Sequence, residues 1–369
     1  EFGYSSCLTP QTPALTMKNL LVSCALIAAL AACTPVSKLP TVDSKLAETE
    51  AEKQRELVIE QVLADQARLH RVAYPIVRQN VALCDERIRL GTGLMLINKY
   101  RFPEVYRSAA VRVANLSETL QVQAVAPGSP AAAAGLRPGD RLNKFNGETV
   151  ATGETALKDF GETFREAAQT SLDKKQPLRL EIFRGAQKQE VSLTPVQQCD
   201  VPYQISQQSI VNAFADGTRI VIAKGMMRFA QLDDELAIVV GHEIAHNTMG
   251  HISKRQGNQA VGMIFDIIAA GFGVNTGGVF SDIGGQAFSQ GFEAEADYVG
   301  LYLTARAGYD INQAPRFWRR MGVAHPSSIR TNHAASHPGT PERFVALENT
   351  VKEILDKRAK GAVLLPEKQ

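Results

Sequence analysis

The sequence predicts an α+β protein in which a mainly helical domain with a small β-sheet, residues 199–369, follows a β-rich module over 86–198. Three observations carry this. Apolar residues recur on a helical repeat in the charged stretch 43–80, and a buried apolar run opens a second helix at Asp233. Short apolar runs parted by Gly, Pro and Asn turns crowd the middle. The pair Asp216-Gly217 between two apolar runs announces a hairpin. A formal net charge of +2 with 21% charged residues, no phosphate-cradling loop and no basic tract excludes an electrostatic case for nucleic acid, so proteins are the expected partners.

Taken in order, the span 1–33 reads as upstream residues, 1–16, and then a signal: Met17-Lys18-Asn19 and the apolar run Leu20 to Ala32 form a positive start and a core shorter than a membrane span needs, which predicts cleavage just ahead of Cys33. Its end, Leu30-Ala31-Ala32-Cys33, resembles the lipobox of a bacterial lipoprotein. The resemblance implies that Cys33 carries lipid and, with Thr34 rather than aspartate after it, that the chain sits on the periplasmic side of the outer membrane. Residues 34–85 then read as a tether and a helical lead-in whose apolar face is Ile59, Val62, Leu63, Leu69, Val72 and Ala73. Of the five cysteines, Cys7 and Cys24 fall in the leader and Cys33 is acylated, leaving Cys84 and Cys199. Two readings stand for these: a disulfide, or two buried thiols.

In the middle module, Ser129 caps and Pro130 starts a short helix that Gly135 stops, and Pro138-Gly139-Asp140 turns the chain into a strand. Asn146-Gly147 marks a hairpin, 155–169 a helix, and Leu178–Phe183 and Gln189–Leu193 flank a turn at Arg184-Gly185. The segment 128–140 resembles the helix and turn of bacterial PDZ domains. That resemblance implies capture of peptide ends by edge addition, with Gly91-Thr92-Gly93-Leu94 as the carboxylate-receiving loop; the other reading is a spacer with an empty groove. Residues 98–118 depart from a compact PDZ pattern.

The chemistry is concentrated in Gly241-His242-Glu243-Ile244-Ala245-His246. Histidines four residues apart share one helical face and can hold one zinc ion, while Glu243 stands on the flank where a water would be activated. A third ligand is expected in Gly291-Phe292-Glu293-Ala294-Glu295-Ala296-Asp297. There Glu293 and Asp297 share a face, Glu293 to bind the metal and Asp297 to fix the tautomer of a ligating histidine, while Glu295 points elsewhere. His251 falls about 140 degrees around an ideal helix from His246, off the ligand face, and reads as structural or as support to a ligand. The apolar, Gly-rich segment 260–280 contains Asp266 and Asn275, which favour a lid over the cleft rather than a membrane span.

The motif and the following Glu-x-Glu-Ala-Asp, with the hairpin 212–222 ahead of them and His337-Pro338 behind, resemble the gluzincin family that contains HtpX and BepA, over about 205–350. The resemblance implies a zincin-type metallopeptidase holding one zinc per chain. It makes His337 a plug or a transition-state donor, with a loop-capping histidine as the alternative, and gives Arg343 a part in organising the site. Thr340, Pro341 and Glu342 start the last helix and Gly361 ends it. On the residues alone, the second hairpin strand, 220–222, offers an edge to an extended substrate. The expected activity is endopeptidase cleavage of unfolded or misassembled envelope proteins, with Glu243 moving the proton. The alternative is a periplasmic chaperone or assembly factor that acts through the PDZ-like module.

Overall fold

A computed structural model describes residues 37, 39–84, 86–254, 256–257, 289–324 and 341–367. The chain divides into two compact units, Glu1–Ala51 and Glu52–Gln369. Cys33, His337, Thr340 and the segment 260–280 lie outside the described residues. Among the described residues no helix is long and apolar enough to cross a membrane.

The lead-in forms one helix, α1 (Ser44–Gln79). Its last third, Leu69, Val72, Ala73, Ile76 and Val77, is buried in the same core cluster as the metal-motif helix. Asn80, just beyond α1, is buried and donates to the carbonyl of Leu303 at 2.9 Å. The last third of the lead-in is therefore part of the helical core. The departure from a PDZ pattern at 98–118 has a physical reason. Helix α2 (Glu104–Ala114) sits there, with Ala109 and Ala110 in a small cluster against Ile59 and with Arg112 paired to Glu52 and Glu56 of α1.

Strand β1 (Ile88–Gly91) pairs antiparallel with β8 (Val196–Cys199), placing Ile88 opposite Cys199. Between these two strands lies the β-rich module. It contains β2 (Leu94–Ile97), β3 (Gln121–Val125), helix α3 (Pro130–Ala133), β4 (Arg141–Phe145), β5 (Glu148–Thr149), helix α4 (Ala156–Lys174), β6 (Leu178–Arg184) and β7 (Gln187–Leu193). The sheet runs β2-β3-β4-β6-β7, with β5 hairpinned onto β4. Local chemistry sets these elements. The Ser129 hydroxyl accepts from the Ala132 amide at 3.2 Å to cap α3, and Asn146 and Gly147 both take positive φ (50° and 93°) in the tight β4–β5 turn. A separate cluster of Leu120, Val122, Leu142, Phe145, Leu178 and Ile182 fills this module. Cys84 and Cys199, both buried, are joined as a disulfide at the foot of the β1–β8 stem.

The helical domain begins with a three-stranded sheet ordered β10 (Ala213–Ala215), β11 (Ile220–Ala223) and β9 (Tyr203–Ser206). β11 is antiparallel to β10 and parallel to β9. The expectation that residues 220–222 offer an edge is thus corrected: β11 is hydrogen-bonded on both sides and all four of its residues are buried, so the outer strand on the hairpin side is β10. The hairpin loop is also longer than two residues, because Ala215 pairs with Ile220 and Asp216 closes the turn by accepting from the amides of Thr218 and Arg219. After α5 (Lys224–Phe229) come α6 (Asp233–Thr248), α7 (Ser289–Arg306), α8 (Ala314–Ala324) and α9 (Pro341–Ala359).

Candidate metal centre

Helices α6 and α7 approach closely because glycine faces glycine at their crossing. A Cβ on Gly241 would fall 2.6 Å from the carbonyl oxygen of Gly300, and one on Gly300 would fall 2.8 Å from the amide nitrogen of His242. This close contact brings a carboxylate of α7 to the imidazoles of α6. His242 Nε2 and His246 Nε2 are 3.1 Å apart, Glu293 Oε2 lies 3.4 Å from the first and Glu293 Oε1 3.3 Å from the second. All three residues are buried. A tetrahedral zinc with bonds of ~2.0–2.1 Å separates its donors by about 3.3 Å. Each spacing is close to one edge of such a shell, the two to Glu293 ending on different carboxylate oxygens, and a donor set of two imidazoles and one carboxylate, with one atom of each within 4.8 Å of the others, suits zinc chemistry. Glu243, beside His242, is buried at 1% exposure.

Around these donors the side chains fix proton positions. His242 Nδ1 lies 3.0 Å from Asp297 Oδ1, one turn past Glu293 on α7. Arg343 from α9 then grips Asp297 through Nε to Oδ2 at 2.7 Å and Nη2 to Oδ1 at 2.9 Å. Burial opposes a charge on His242, but the Asp297 and Glu293 carboxylates outweigh it and raise its pKa to about 10. Burial likewise pushes Asp297 up, and the Arg343 and His242 charges overcome it to hold the carboxyl below its usual range. The cluster therefore favours positive charge at its centre, the demand that a divalent cation meets.

His251 lies beside a ligand rather than among the three, but not by ideal-helix geometry. Helix α6 ends at Thr248 and Gly250 takes φ +67°, so the chain turns before His251 and the 140-degree argument no longer applies. The ring swings back to place Nδ1 3.0 Å from His246 Nδ1, and its Nε2 lies 2.9 Å from Glu295 Oε2. Burial lowers the His251 pKa to about 4, against the pull of Glu295, so the ring is neutral. Its Nε2–H donates to Glu295, its Nδ1 accepts from His246 Nδ1–H, and the Nε2 lone pair of His246 is left facing His242 and Glu293. Glu295, read from sequence as pointing elsewhere, supports the second histidine as Asp297 supports the first. The signal for this was Gly250, a helix stop placed one residue before a histidine. Trp318 on α8 was also missed; its ring lies 5.0 Å from that of His242, and the Arg343 guanidinium sits 5.6 Å over it.

Comparison with known proteins finds metallopeptidase and PDZ relatives. Residues 181–351 match the model of Peptidase family M48, and residues 121–170 match that of the PDZ domain. The mitochondrial metalloendopeptidase OMA1 of Arabidopsis thaliana is 31% identical over 156 residues, covering 40% of this chain and 31% of that protein. The beta-barrel assembly-enhancing protease of Yersinia pestis is 26% identical over 202 residues, 42% of each chain. The chain thus spans less than half the length of these relatives. A solved PDZ domain of HtrA3 bound to a phage-derived ligand is 23% identical and covers 30% of this chain and 88% of that one, at a TM-score of 0.21.

Proposed function

We propose, from the match of residues 181–351 to Peptidase family M48 and of residues 121–170 to the PDZ domain, that this chain is a zinc-dependent endopeptidase with one zinc per chain. The observation that carries the reading is the convergence of His242, His246 and Glu293: the two Nε2 atoms are 3.1 Å apart, and Glu293 reaches the first with Oε2 at 3.4 Å and the second with Oε1 at 3.3 Å. The ion, when bound, supplies Lewis acidity for a water and for the scissile carbonyl. The chain's own residues do the rest. Glu243 takes the water's proton and passes it to the departing amine, a transfer worth on the order of 10²–10⁴-fold. Asp297 and the His251–Glu295 pair keep both imidazoles in the tautomer that presents Nε2. His337 remains either a donor or plug at the metal or a capping histidine of its loop.

Substrates on this reading are unfolded or misassembled proteins of the cell envelope, with peptide ends held in the PDZ domain. An outer-membrane location follows from lipid on Cys33, which labelled fatty acid incorporation tests through Cys33→Ala. The rival chaperone reading draws on the apolar groove of the PDZ domain, described below. One experiment separates the two: zinc stoichiometry and cleavage of a denatured envelope protein are compared for wild type and Glu243→Gln. A peptidase keeps its zinc and loses cleavage in the variant, whereas a chaperone keeps its protective effect. Full cleavage by a zinc-loaded Glu243→Gln protein would remove Glu243 from the proposed role.

A further inference from the structure

A cavity of about 320 Å³ opens between the loop 91–94, the outer strand β2 and helix α4. Leu96, Phe145, Phe160, Phe164, Leu178 and Leu193 make its walls apolar, and Arg89 lines it beside Gly91. An outer strand with an apolar trough and one guanidinium suits an extended peptide that ends in a free carboxylate and a large apolar side chain. Residues outside the PDZ module also line this cavity: His70 and Tyr74 from α1, and Tyr203 from β9.

His70 holds the loop to the helical domain. It is buried, with Nε2 2.9 Å from the carbonyl oxygen of Gly93 and Nδ1 2.7 Å from the Tyr203 hydroxyl. The carbonyl only accepts, so Nε2 carries the proton and the Tyr203 O–H donates to Nδ1. Gly93 has little room to shift. Its φ is +72°, its carbonyl also accepts from the Ala126 amide at 2.8 Å, and a Cβ on it would lie 2.3 Å from that of Ser129. On either side of His70, the same helix grips the start of α6. Arg68 Nε is 2.9 Å from Asp233 Oδ1 and also donates to the carbonyls of Met227 and Ala230, while Arg71 Nη2 reaches Asp233 Oδ2 at 2.9 Å. Tyr203 stands opposite Ile220 on β11, the strand that leads into α5 and α6. One short stretch of α1 thus touches both the groove loop and the first turn of the helix that bears His242 and His246.

We propose that His70 couples the occupancy of this groove by an apolar peptide C-terminus to the metal-bearing helix, through the stretch 68–74 of α1. The inference rests on the zinc-site reading above but not on proteolysis. Coupling between two sites is reciprocal, so zinc must change the affinity for peptide by the factor by which peptide changes the affinity for zinc.

The test uses the full chain, with zinc stoichiometry measured first. A fluorescein-labelled peptide ending in phenylalanine with a free carboxylate is titrated by anisotropy onto zinc-loaded and chelator-treated protein, beside its C-terminal amide. Trp318, the one tryptophan of the sequence, reports on the metal side through its fluorescence. We expect the two Kd values to differ by at least about 5-fold in wild type. Peptide should also shift Trp318 emission, and the amide should bind more weakly. In His70→Phe, and in the milder Tyr203→Phe that removes only the hydroxyl donor, the ratio should fall to about one whatever the absolute affinities. Equal Kd values in wild type, no binding of the peptide, or a ratio unchanged in both variants would each overturn the proposal. Because turnover is not read, a protein that shows coupling but no cleavage would leave this inference standing and defeat the peptidase reading. A chain that binds no zinc would overturn both.

Discussion

Arg343 binds both carboxylate oxygens of Asp297, at 2.7 and 2.9 Å, and in doing so reaches the metal centre from the far end of the sequence. The fork of a guanidinium matches a carboxylate in a way that an ammonium does not. Asp297 in turn faces His242 Nδ1, so the orientation of one candidate ligand depends on a residue of α9. Arg343→Lys is expected to lower zinc affinity about 10–100-fold, the usual cost of disturbing a group that supports a metal ligand. Competition with a chromophoric chelator measures this directly, and an affinity equal to wild type would show that Asp297 holds its place without the fork.

The His251–Glu295 pair makes a matched prediction for the other imidazole. His251→Ala removes the acceptor of His246 Nδ1–H and should weaken zinc binding by about 10-fold or more. Glu295→Gln should do less, because Glu295 has 41% side-chain exposure and water can replace it. The ranking is the check. If Glu295→Gln proves the more damaging of the two, His251 is not held in the tautomer assigned to it.

Much of this centre was legible because its geometry is local. His242 with His246, and Glu293 with Asp297, are each four residues apart on an unbroken helix, so spacing alone states which side chains share a face. What spacing could not give was set by tertiary contact or by a break in the repeat. His251 takes a supporting place beside a ligand by a route that the helical repeat could not state, because Gly250 ends the helix under it. The edge assigned to 220–222 failed because β9, more than a dozen residues upstream, covers that strand. The reach of His70 to Gly93 and Tyr203 joins three segments whose pairing no periodicity encodes. Glycine at 241 and 300 carries the helix crossing, and no spacing within either motif states that pairing.

The disulfide is expected to contribute strongly to stability. Cys84 and Cys199 are separated by 115 residues, and closing a loop of that size removes about 4–5 kcal/mol of denatured-state entropy in the chain-entropy model. The bond also closes the β1–β8 stem through which the module enters and leaves. Reducing agent should therefore lower the melting temperature of the wild type and leave that of Cys84→Ala/Cys199→Ala unchanged. A double variant as stable as the oxidised wild type would show that the stem holds without its bond.

Asp233 yields a pH dependence with a defined sign. Burial pushes its carboxyl up, but hydrogen bonds from Arg68 and Arg71 and their charges outweigh this and hold it below the ordinary carboxylate value. A depressed folded pKa means that the folded state binds fewer protons. The contribution is then fully present above the unfolded value near ~3.9 and is lost as the pH falls through the lower folded value. Asp233→Asn should melt below wild type at neutral pH, and the difference should close only in acid below about pH 4. Since the Asp233 side chain is 39% exposed, the difference should also shrink in high salt. Melting curves of both proteins across that range decide it: a gap that persists unchanged at the acid end would mean that the variant loses packing at the start of α6 rather than the ion pair with α1.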